Sequence, residues 1–162
     1  MAIRALARGD LEAAAQIVAE CTDGNVQHQL DLLERRLEGT TPDSALLVAE
    51  TESRVVGVAR AAYFEASAEA PTNAAPPGWY LLGVNVLPSY RRRGIGRALT
   101  VARLKLIQAH APLAWYFTEA TNEASIRLHA ALGFRENTRD FWFPSATFGA
   151  GGGILFSARL RD

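Results

Sequence analysis

One stretch of the sequence, residues 80–100, constrains the fold more than any other. It reads YLLGVNVLPSYRRRGIGRALT: an apolar, β-branched run, then Pro88, three arginines, the triplet Gly94-Ile95-Gly96, and an amphipathic run. β-branched apolar residues are typical of a buried strand, and apolar residues at helical spacing are typical of a helix. The order therefore predicts a strand, then a loop, then the start of a helix.

The predicted loop and helix start have the properties of an anion site. The first amides of a helix have no partner within the helix, and the helix dipole adds partial positive charge there. Gly94 and Gly96 have no Cβ atoms that would keep a phosphate from the backbone. Full positive charges come from four arginines nearby, Arg91, Arg92, Arg93 and Arg97. The segment therefore predicts a site for a phosphate or diphosphate.

Other phosphate motifs fit this segment less well. The P-loop pattern G-x-x-x-x-G-K-[ST] is absent from the chain. The run from Gly94 to Leu99 lacks the third glycine of a dinucleotide-binding G-x-G-x-x-G. A basic surface loop and a nucleic-acid patch remain open as alternatives for this segment alone.

Composition excludes several classes of partner. The chain has 17 Lys+Arg and 17 Asp+Glu among 162 residues, so no overall field attracts a nucleic acid or a membrane. The basic residues from Arg91 to Lys105 have no acid among them, which favours one anionic ligand at one place. Cys21 is the single cysteine, so no internal disulfide can form, and no residues have the spacing of a metal site. No run resembles a membrane span or a signal peptide, so a cytoplasmic protein is expected.

The remaining pattern predicts a single domain over residues 1–162. A strand, a helix and a strand in succession form a βαβ unit, so the two strands around the third helix should be parallel. Residues 65–78 are rich in Ala and Pro and predict an exposed loop, either a passive connector or a flap. Asp23-Gly24 and Gly39, with Pro42 beyond it, predict the ends of the first two helices. The elements are, in order, strand Ile3–Leu6, helices around Leu11–Val18 and Leu30–Leu37, strands Ala45–Glu50, Val55–Tyr63 and Trp79–Leu87, helix Ile95–His110, strand Leu113–Glu119, a helix capped by Thr121 or Asn122 and ended by Gly133, and strands Phe134–Phe143 and Gly153–Leu160.

Two motifs together resemble one family. The first is R-x-x-G-x-G, Arg91 to Gly96, directly after a strand that ends in Val-x-Pro. The second is N-x-x-S-x-x-x-(Y/H)-x-x-L-G-F, which spans Asn122 to Phe134. The chain resembles the GNAT superfamily of N-acetyltransferases, in particular small-molecule enzymes of bacterial type, over residues 79–134. The resemblance implies an α/β (α+β) fold with a mixed central sheet of about seven strands flanked by about four helices.

The resemblance also implies acetyl-CoA as co-substrate, with no metal. The central strand would pair with the pantetheine arm, the Val86 amide would face the thioester oxygen, and the amides of residues 92–97 would hold the pyrophosphate. Near the sulfur end, the second motif would supply further contacts. The cofactor-binding residues implied are Val84, Asn85, Val86, Arg91, Arg92, Arg93, Gly94, Ile95, Gly96, Arg97, Asn122 and Ser125.

Catalysis in this family needs a neutral amine and a proton for the departing thiolate. An alkyl ammonium has a pKa of roughly 10.4, so a base is required, and a carboxylate can act through water. The central strand carries no acid, which leaves Glu119 as the nearest candidate base, with a surface glutamate as the alternative. Relatives often place a tyrosine where this chain has His129, so His129 is the candidate acid, with a role in packing against CoA as the alternative.

The resemblance therefore implies an N-acetyltransferase that acts on a primary amine of a small molecule by direct attack within a ternary complex. A protein or peptide N-acetyltransferase and a non-catalytic acyl-CoA-binding module remain open as alternatives. Neither a nucleic acid nor a membrane is expected as a partner, and a homodimer is compatible with the family.

Overall fold

The computed structural model describes residues 1–22, 24–39 and 44–161 of the chain. Asp23 and Pro42, which the sequence predicts at helix ends, lie outside these ranges. Within them the elements follow the predicted order, with two short 3-10 turns added at Arg8–Asp10 and Pro88–Tyr90. The strands and helices are β1 (Ala2–Ala5), α1 (Leu11–Thr22), α2 (Val26–Glu38), β2 (Ser44–Thr51), β3 (Arg54–Phe64), β4 (Gly78–Val86), α3 (Ile95–Gln108), β5 (Leu113–Glu119), α4 (Glu123–Ala131), β6 (Arg135–Thr138) and β7 (Gly153–Arg159).

The strands form one mixed sheet in the order β1-β2-β3-β4-β5-β7-β6. Antiparallel pairing joins β1 to β2, β2 to β3, β5 to β7 and β6 to β7. β4 and β5 are parallel, as the βαβ pattern predicts, and their ladder covers Trp79 to Leu81 opposite Ala114 to Tyr116. The expected mixed sheet of seven strands with four helices is therefore confirmed. None of the helices in the described ranges is both long and apolar enough to cross a membrane.

The chain folds into two compact units, and the first comprises Met1–Ala62 with Leu82–Arg103. Its core lies between α1, α2 and α3 and the strands that they cover. Gly57 in β3 is needed for this packing, because a Cβ atom there would lie 3.0 Å from Cδ1 of Leu99 in α3. The residues buried at the centre of this core include Ala14, Ile17, Leu33, Val48, Val56 and Leu99.

An ion cluster at the surface of this unit ties β1 to β2 and to the first turn. The Arg4 guanidinium donates to both oxygens of Asp10, at 2.7 and 3.0 Å, and also to Glu50. Asp10 in addition accepts the Ala7 amide at 2.8 Å, so its carboxylate caps the turn that precedes α1. The hydrogen bonds from Arg4 hold the pKa of Asp10 below its usual value.

The second unit comprises Tyr63–Leu81 with the residues from Leu104 onward. Its last strands differ from prediction, because β6 covers four residues and not the whole of Phe134–Phe143. The ladder to β7 shifts register between Glu136 and Thr138, and the chain then leaves the edge of the sheet. Trp142 instead bridges to the 65–78 loop, donating its amide to Asn73 and accepting from Ala75. Ala75 is buried by this contact, so the loop is anchored there and is not exposed throughout.

The Asp10 contacts predict a pH-dependent stability. We expect Asp10→Ala to lower the free energy of unfolding at pH 7 by about 1 kcal/mol, the usual cost of a lost cap. Because the folded pKa of Asp10 lies below the unfolded value of about 3.9, its contribution is present above that value and is lost as the pH falls through the folded pKa. Urea unfolding at pH 7 and at pH 2 measures the difference.

Glu38→Ala is the matched control for this change. Glu38 pairs with Arg8 at 3.7 Å, and both side chains are more than half exposed, so its loss should cost less than about 0.5 kcal/mol. Equal destabilisation by the two substitutions, or a cost for Asp10→Ala that persists at pH 2, would contradict the role given to Asp10.

Candidate functional site

The loop between β4 and α3 presents a row of backbone amides without partners. Arg92 and Gly94 have φ angles of 64° and 79°, and these left-handed residues turn the chain sharply into α3. The first amide with an intrahelical partner is that of Ala98, which donates to the Gly94 carbonyl at 2.9 Å. In the described part of the chain, the amides of residues 92–97 have no hydrogen-bond partner. This is the donor arrangement that a diphosphate requires.

The surface above these amides is open. A Cβ atom built on Gly94 or on Gly96 would meet nothing within 4 Å. The 14-residue helix α3 directs the positive end of its dipole to the same place. Arg92, Arg93 and Arg97 are exposed around it. This loop, residues 92–97, is called the cradle below, and it has the open space and the positive charge that a diphosphate group requires.

Arg91 differs from the other loop arginines because it also holds the end of β4. Its Nε donates to the Val86 carbonyl at 3.0 Å, and its Nη2 lies 3.5 Å from Sγ of Cys21. The Cys21 thiol in turn donates to the same carbonyl at 3.4 Å. Arg91 therefore holds the end of the strand to which the family resemblance gives a role in cofactor binding.

A buried cation, Arg103, contacts the same strand. Gly83 interrupts β4 with a φ of 80°, and Nη1 of Arg103 donates to its carbonyl at 3.1 Å and to that of Arg60 at 3.0 Å. Nη2 donates to the Thr100 hydroxyl at 3.0 Å. The side chain is 1% exposed, and burial lowers its pKa to about 10, which still leaves it charged at neutral pH.

Grouping Arg103 with the arginines of the anion site is therefore wrong. In the sequence, Arg103 belongs to a run of basic residues without acids. In the structure it lies on the inner face of α3 beside Leu99 and binds backbone carbonyls. The signal that could have located it is its spacing of four residues from both Leu99 and Ile107, which places it on the apolar stripe of the helix.

In the second unit, the candidate residues Ser125 and His129 of α4 form one contact network with Tyr116 of β5. The hydroxyls of Tyr116 and Ser125 are 2.5 Å apart, and Nδ1 of His129 lies 2.8 Å from the Ser125 carbonyl. Because a carbonyl only accepts, Nδ1 carries the proton. The His129 ring stacks on Tyr116 with centroids 3.6 Å apart, and both rings are buried. Burial raises the pKa of the Tyr116 hydroxyl, opposed by its bonds to Ser125 and Thr118.

Glu119 and Asn122 lie next to this network. Asn122 caps α4, because its side-chain oxygen accepts the Ser125 amide at 3.2 Å, and its own amide donates to the Glu119 carbonyl at 3.0 Å. Both carboxylate oxygens of Glu119 lie 3.1 Å from the amide of Gly149. A carboxylate with one donor retains capacity for further protons or donors. Within this unit, the structure thus brings Glu119, Asn122, Ser125 and His129 together.

Phe117, two residues before Glu119, packs in a cluster of aromatic rings with Phe141, Phe143 and Phe148. Its ring is 4.8 Å from that of Phe143 and 5.8 Å from that of Phe141, measured between centroids. Phe148 contributes an edge-on ring at 6.0 Å. The sequence suggests Phe141 and Phe143 as aromatics of an acceptor pocket, but it does not show their contact with Phe117, because the rings come from β5 and from the irregular segment after β6.

The contacts of Arg103 predict a stability effect. Arg103→Met leaves two strand carbonyls without their charged donor, so we expect the free energy of unfolding to fall by about 2 kcal/mol in urea titrations. Arg97→Met makes the same substitution at an exposed position of the same helix and should change it by less than about 0.5 kcal/mol. Similar stabilities for the two variants would show that the carbonyl contacts contribute nothing.

Known proteins are similar to this chain in sequence and in architecture. The family model described as the acetyltransferase (GNAT) family matches residues 11–134. A mycothiol acetyltransferase of Frankia alni is 32% identical over 112 residues, which are 68% of this chain and 34% of the relative, so the match spans about a third of that protein.

Two solved structures agree over nearly the whole chain. A ribosomal-protein-alanine N-acetyltransferase from Brucella melitensis has a TM-score of 0.72 and 25% identity, and covers 99% of this chain and 100% of its own. A phosphinothricin acetyltransferase from Sinorhizobium meliloti, solved in complex with AcCoA, has a TM-score of 0.75 at 20% identity and covers 98% and 88%. Members of the matched family are acyltransferases that use acetyl-CoA. With the family model matched over most of its length, this chain belongs to the GNAT family of acetyltransferases.

Proposed function

We propose that this protein transfers the acetyl group of acetyl-CoA to the primary amine of a small molecule by direct attack within a ternary complex. The observation that carries this proposal is the set of partnerless amides at residues 92–97, which lie beneath an open surface at the start of α3. Such a cradle binds a diphosphate, which coenzyme A contains. Family membership supplies the reaction class.

The residues proposed to hold acetyl-CoA fall into three groups. The backbone of Val84, Asn85 and Val86 would bind the pantetheine arm, and the amides of residues 92–97 would bind the diphosphate. Asn122 and Ser125 would bind near the sulfur. When bound, acetyl-CoA supplies an acetyl group on sulfur, while the chain itself must remove one proton from the amine and deliver one to the sulfur.

Glu119 is the proposed base. Its carboxylate is half-buried at the end of β5, held by a single amide and flanked by the aromatic cluster around Phe117. An alkyl ammonium that loses a proton to Glu119, directly or through a water, becomes a neutral amine, which is the nucleophile. The side chain is therefore both oriented and still able to accept a proton.

His129 is the proposed source of the proton for the sulfur, and the hydroxyl pair is the competing source. Nδ1–H of His129 donates to the Ser125 carbonyl, so this ring can give a proton to the sulfur only from Nε2 and only in its doubly protonated, imidazolium form. Ser125 is half-buried, bonded to the Tyr116 hydroxyl, and lies one turn nearer the start of α4. Each route uses a different atom, and substitution separates them.

The relatives support two kinds of acceptor. The mycothiol acetyltransferases are named for a small molecule, whereas the Brucella structure is named for a ribosomal-protein alanine. A cavity of about 140 Å³ within the first unit favours a small group over a long peptide. The small-molecule acceptor is therefore the one proposed.

The diphosphate cradle is tested at Gly96. Gly96→Asp places a negative side chain in the open space over the amides, so we expect the affinity for coenzyme A to fall at least 100-fold in a calorimetric titration. Its φ is not positive and a Cβ there meets no atom, so the thermal midpoint should be unchanged or higher. Gly94→Asp is a poorer test, because its φ of 79° adds backbone strain.

Gly9→Asp is a control glycine substitution, since a Cβ there also meets no atom. It should leave the affinity for coenzyme A unchanged. Normal affinity in the Gly96→Asp protein would remove the diphosphate from this loop and with it the proposed orientation of the cofactor.

The two proton sources are distinguished by a pair of variants. If His129 is the acid, His129→Gln lowers kcat about 100-fold without a change in the Kd of acetyl-CoA, and the basic limb of the kcat profile flattens. Tyr116→Phe would then retain most of its turnover. The reverse ranking, with turnover lost in Tyr116→Phe and kept in His129→Gln, would assign the proton to the hydroxyl pair and leave His129 a packing role.

A further inference from the structure

A cavity of the first unit contains two arginines that the mechanism does not use. It lies between α1, α2 and the sheet, and its volume is about 140 Å³. Arg36 of α2 and Arg60 of β3 line it, together with the amides of Gln29 and Asn85. The rest of the lining is aliphatic side chains and the backbone of Gly83. Among the described residues, the polar part of the wall therefore offers cationic and amide groups and no carboxylate.

Neither guanidinium has an acidic partner among the described residues. The salt bridges there involve other arginines, such as Arg4 with Asp10 and Glu50. The Nε of Arg60 is buried and has no hydrogen-bond partner. Burial and the nearby charges of Arg60 and Arg35 lower the pKa of Arg36 to about 10, and burial also lowers that of Arg60. Two cations thus share one small, partly desolvated space.

We propose that this cavity binds an anionic group of the acceptor, so that the substrate is an amine that also carries a carboxylate or a phosphonate. A guanidinium offers forked donors that match such groups, and burial strengthens the attraction. The inference rests on the proposed function, because Asn85 lies both in the cavity wall and in the strand proposed to bind the pantetheine arm. An anion held beside Arg60 would therefore sit near the acyl group.

The same charges exclude other acceptors. A polycationic amine entering the cavity would meet two like charges at short range, which is unfavourable in a partly desolvated site. A neutral amine would leave both guanidiniums uncompensated. We therefore expect the enzyme to discriminate among acceptors by the charge of the group at the end of the molecule remote from the amine.

The test uses matched acceptors that differ in that charge. Thiol release from acetyl-CoA is measured with 4-aminobutyrate and 3-aminopropylphosphonate, each against its neutral counterpart, 4-aminobutyramide and 3-aminopropanol. Spermidine and a short peptide complete the set. We expect kcat/KM to be at least tenfold higher for each anionic amine than for its neutral partner, and lower still for spermidine.

Substitution then assigns the preference to the cavity. Arg60→Gln and Arg36→Gln should each raise the KM of the anionic amines at least tenfold and leave the KM of acetyl-CoA unchanged. Arg35→Gln removes the same charge from an exposed position of the same helix and should alter neither. Equal kcat/KM values for anionic and neutral acceptors would overturn the proposal. So would an Arg60→Gln protein in which only the KM of acetyl-CoA is raised.

A binding measurement separates this inference from the proposed reaction. Calorimetric titration of 3-aminopropylphosphonate into the protein should give a Kd that weakens at least tenfold in Arg60→Gln and is unchanged in Arg35→Gln. If 3-aminopropylphosphonate binds in this way but no acceptor causes thiol release, the proposed reaction is wrong and the anion site stands. If thiol is released but substitution of either cavity arginine leaves binding unchanged, the proposed reaction stands and the anion site is wrong.

Discussion

A buried guanidinium joins three elements of the first unit and fixes the geometry of its ligand site. Arg103 extends from α3 to one carbonyl of β3 and one of β4, both of which would otherwise lack a charged donor. The same helix begins with the amides that form the diphosphate cradle. One rigid helix therefore sets the position of the cradle relative to the interrupted strand β4, and Gly57 allows the close approach that this requires. The cofactor placement proposed for this chain depends on these contacts of Arg103.

Local signals predicted most of the fold. Asn122 caps α4, Gly133 ends it with a φ of 95°, and the βαβ unit is parallel, because each feature depends on residues close together in sequence. The extent of β6 was not predictable in this way. Its end is set by a register shift against β7 and by the bridge from Trp142 to Ala74, which are contacts between distant segments.

The same distinction, between contacts of residues close in sequence and contacts of distant segments, applies to the candidate site. Glu119 ends β5, Asn122 and Ser125 lie at the start of α4, and His129 is one turn further along the same helix. Because these residues are close in sequence, a sequence motif captures their proximity. The cavity with Arg36 and Arg60 carries no motif, because its walls come from α1, α2 and three strands. The assignment of Arg103 failed for a related reason, since charge in the sequence does not show whether an arginine meets water, an anion or a carbonyl.

Three environments of arginine in this unit explain why the cavity points to a ligand. Arg4 is neutralised by two carboxylates, and Arg103 by four acceptors from backbone and hydroxyl oxygens. Either arrangement offsets the desolvation of a cation with groups of the chain itself. Arg36 and Arg60 share their cavity without such groups among the described residues, and their mutual repulsion adds to the cost. Such a pair lowers the stability of the protein, and an anion bound between the two guanidiniums would recover that loss. This is why we propose that the cavity recognises a ligand.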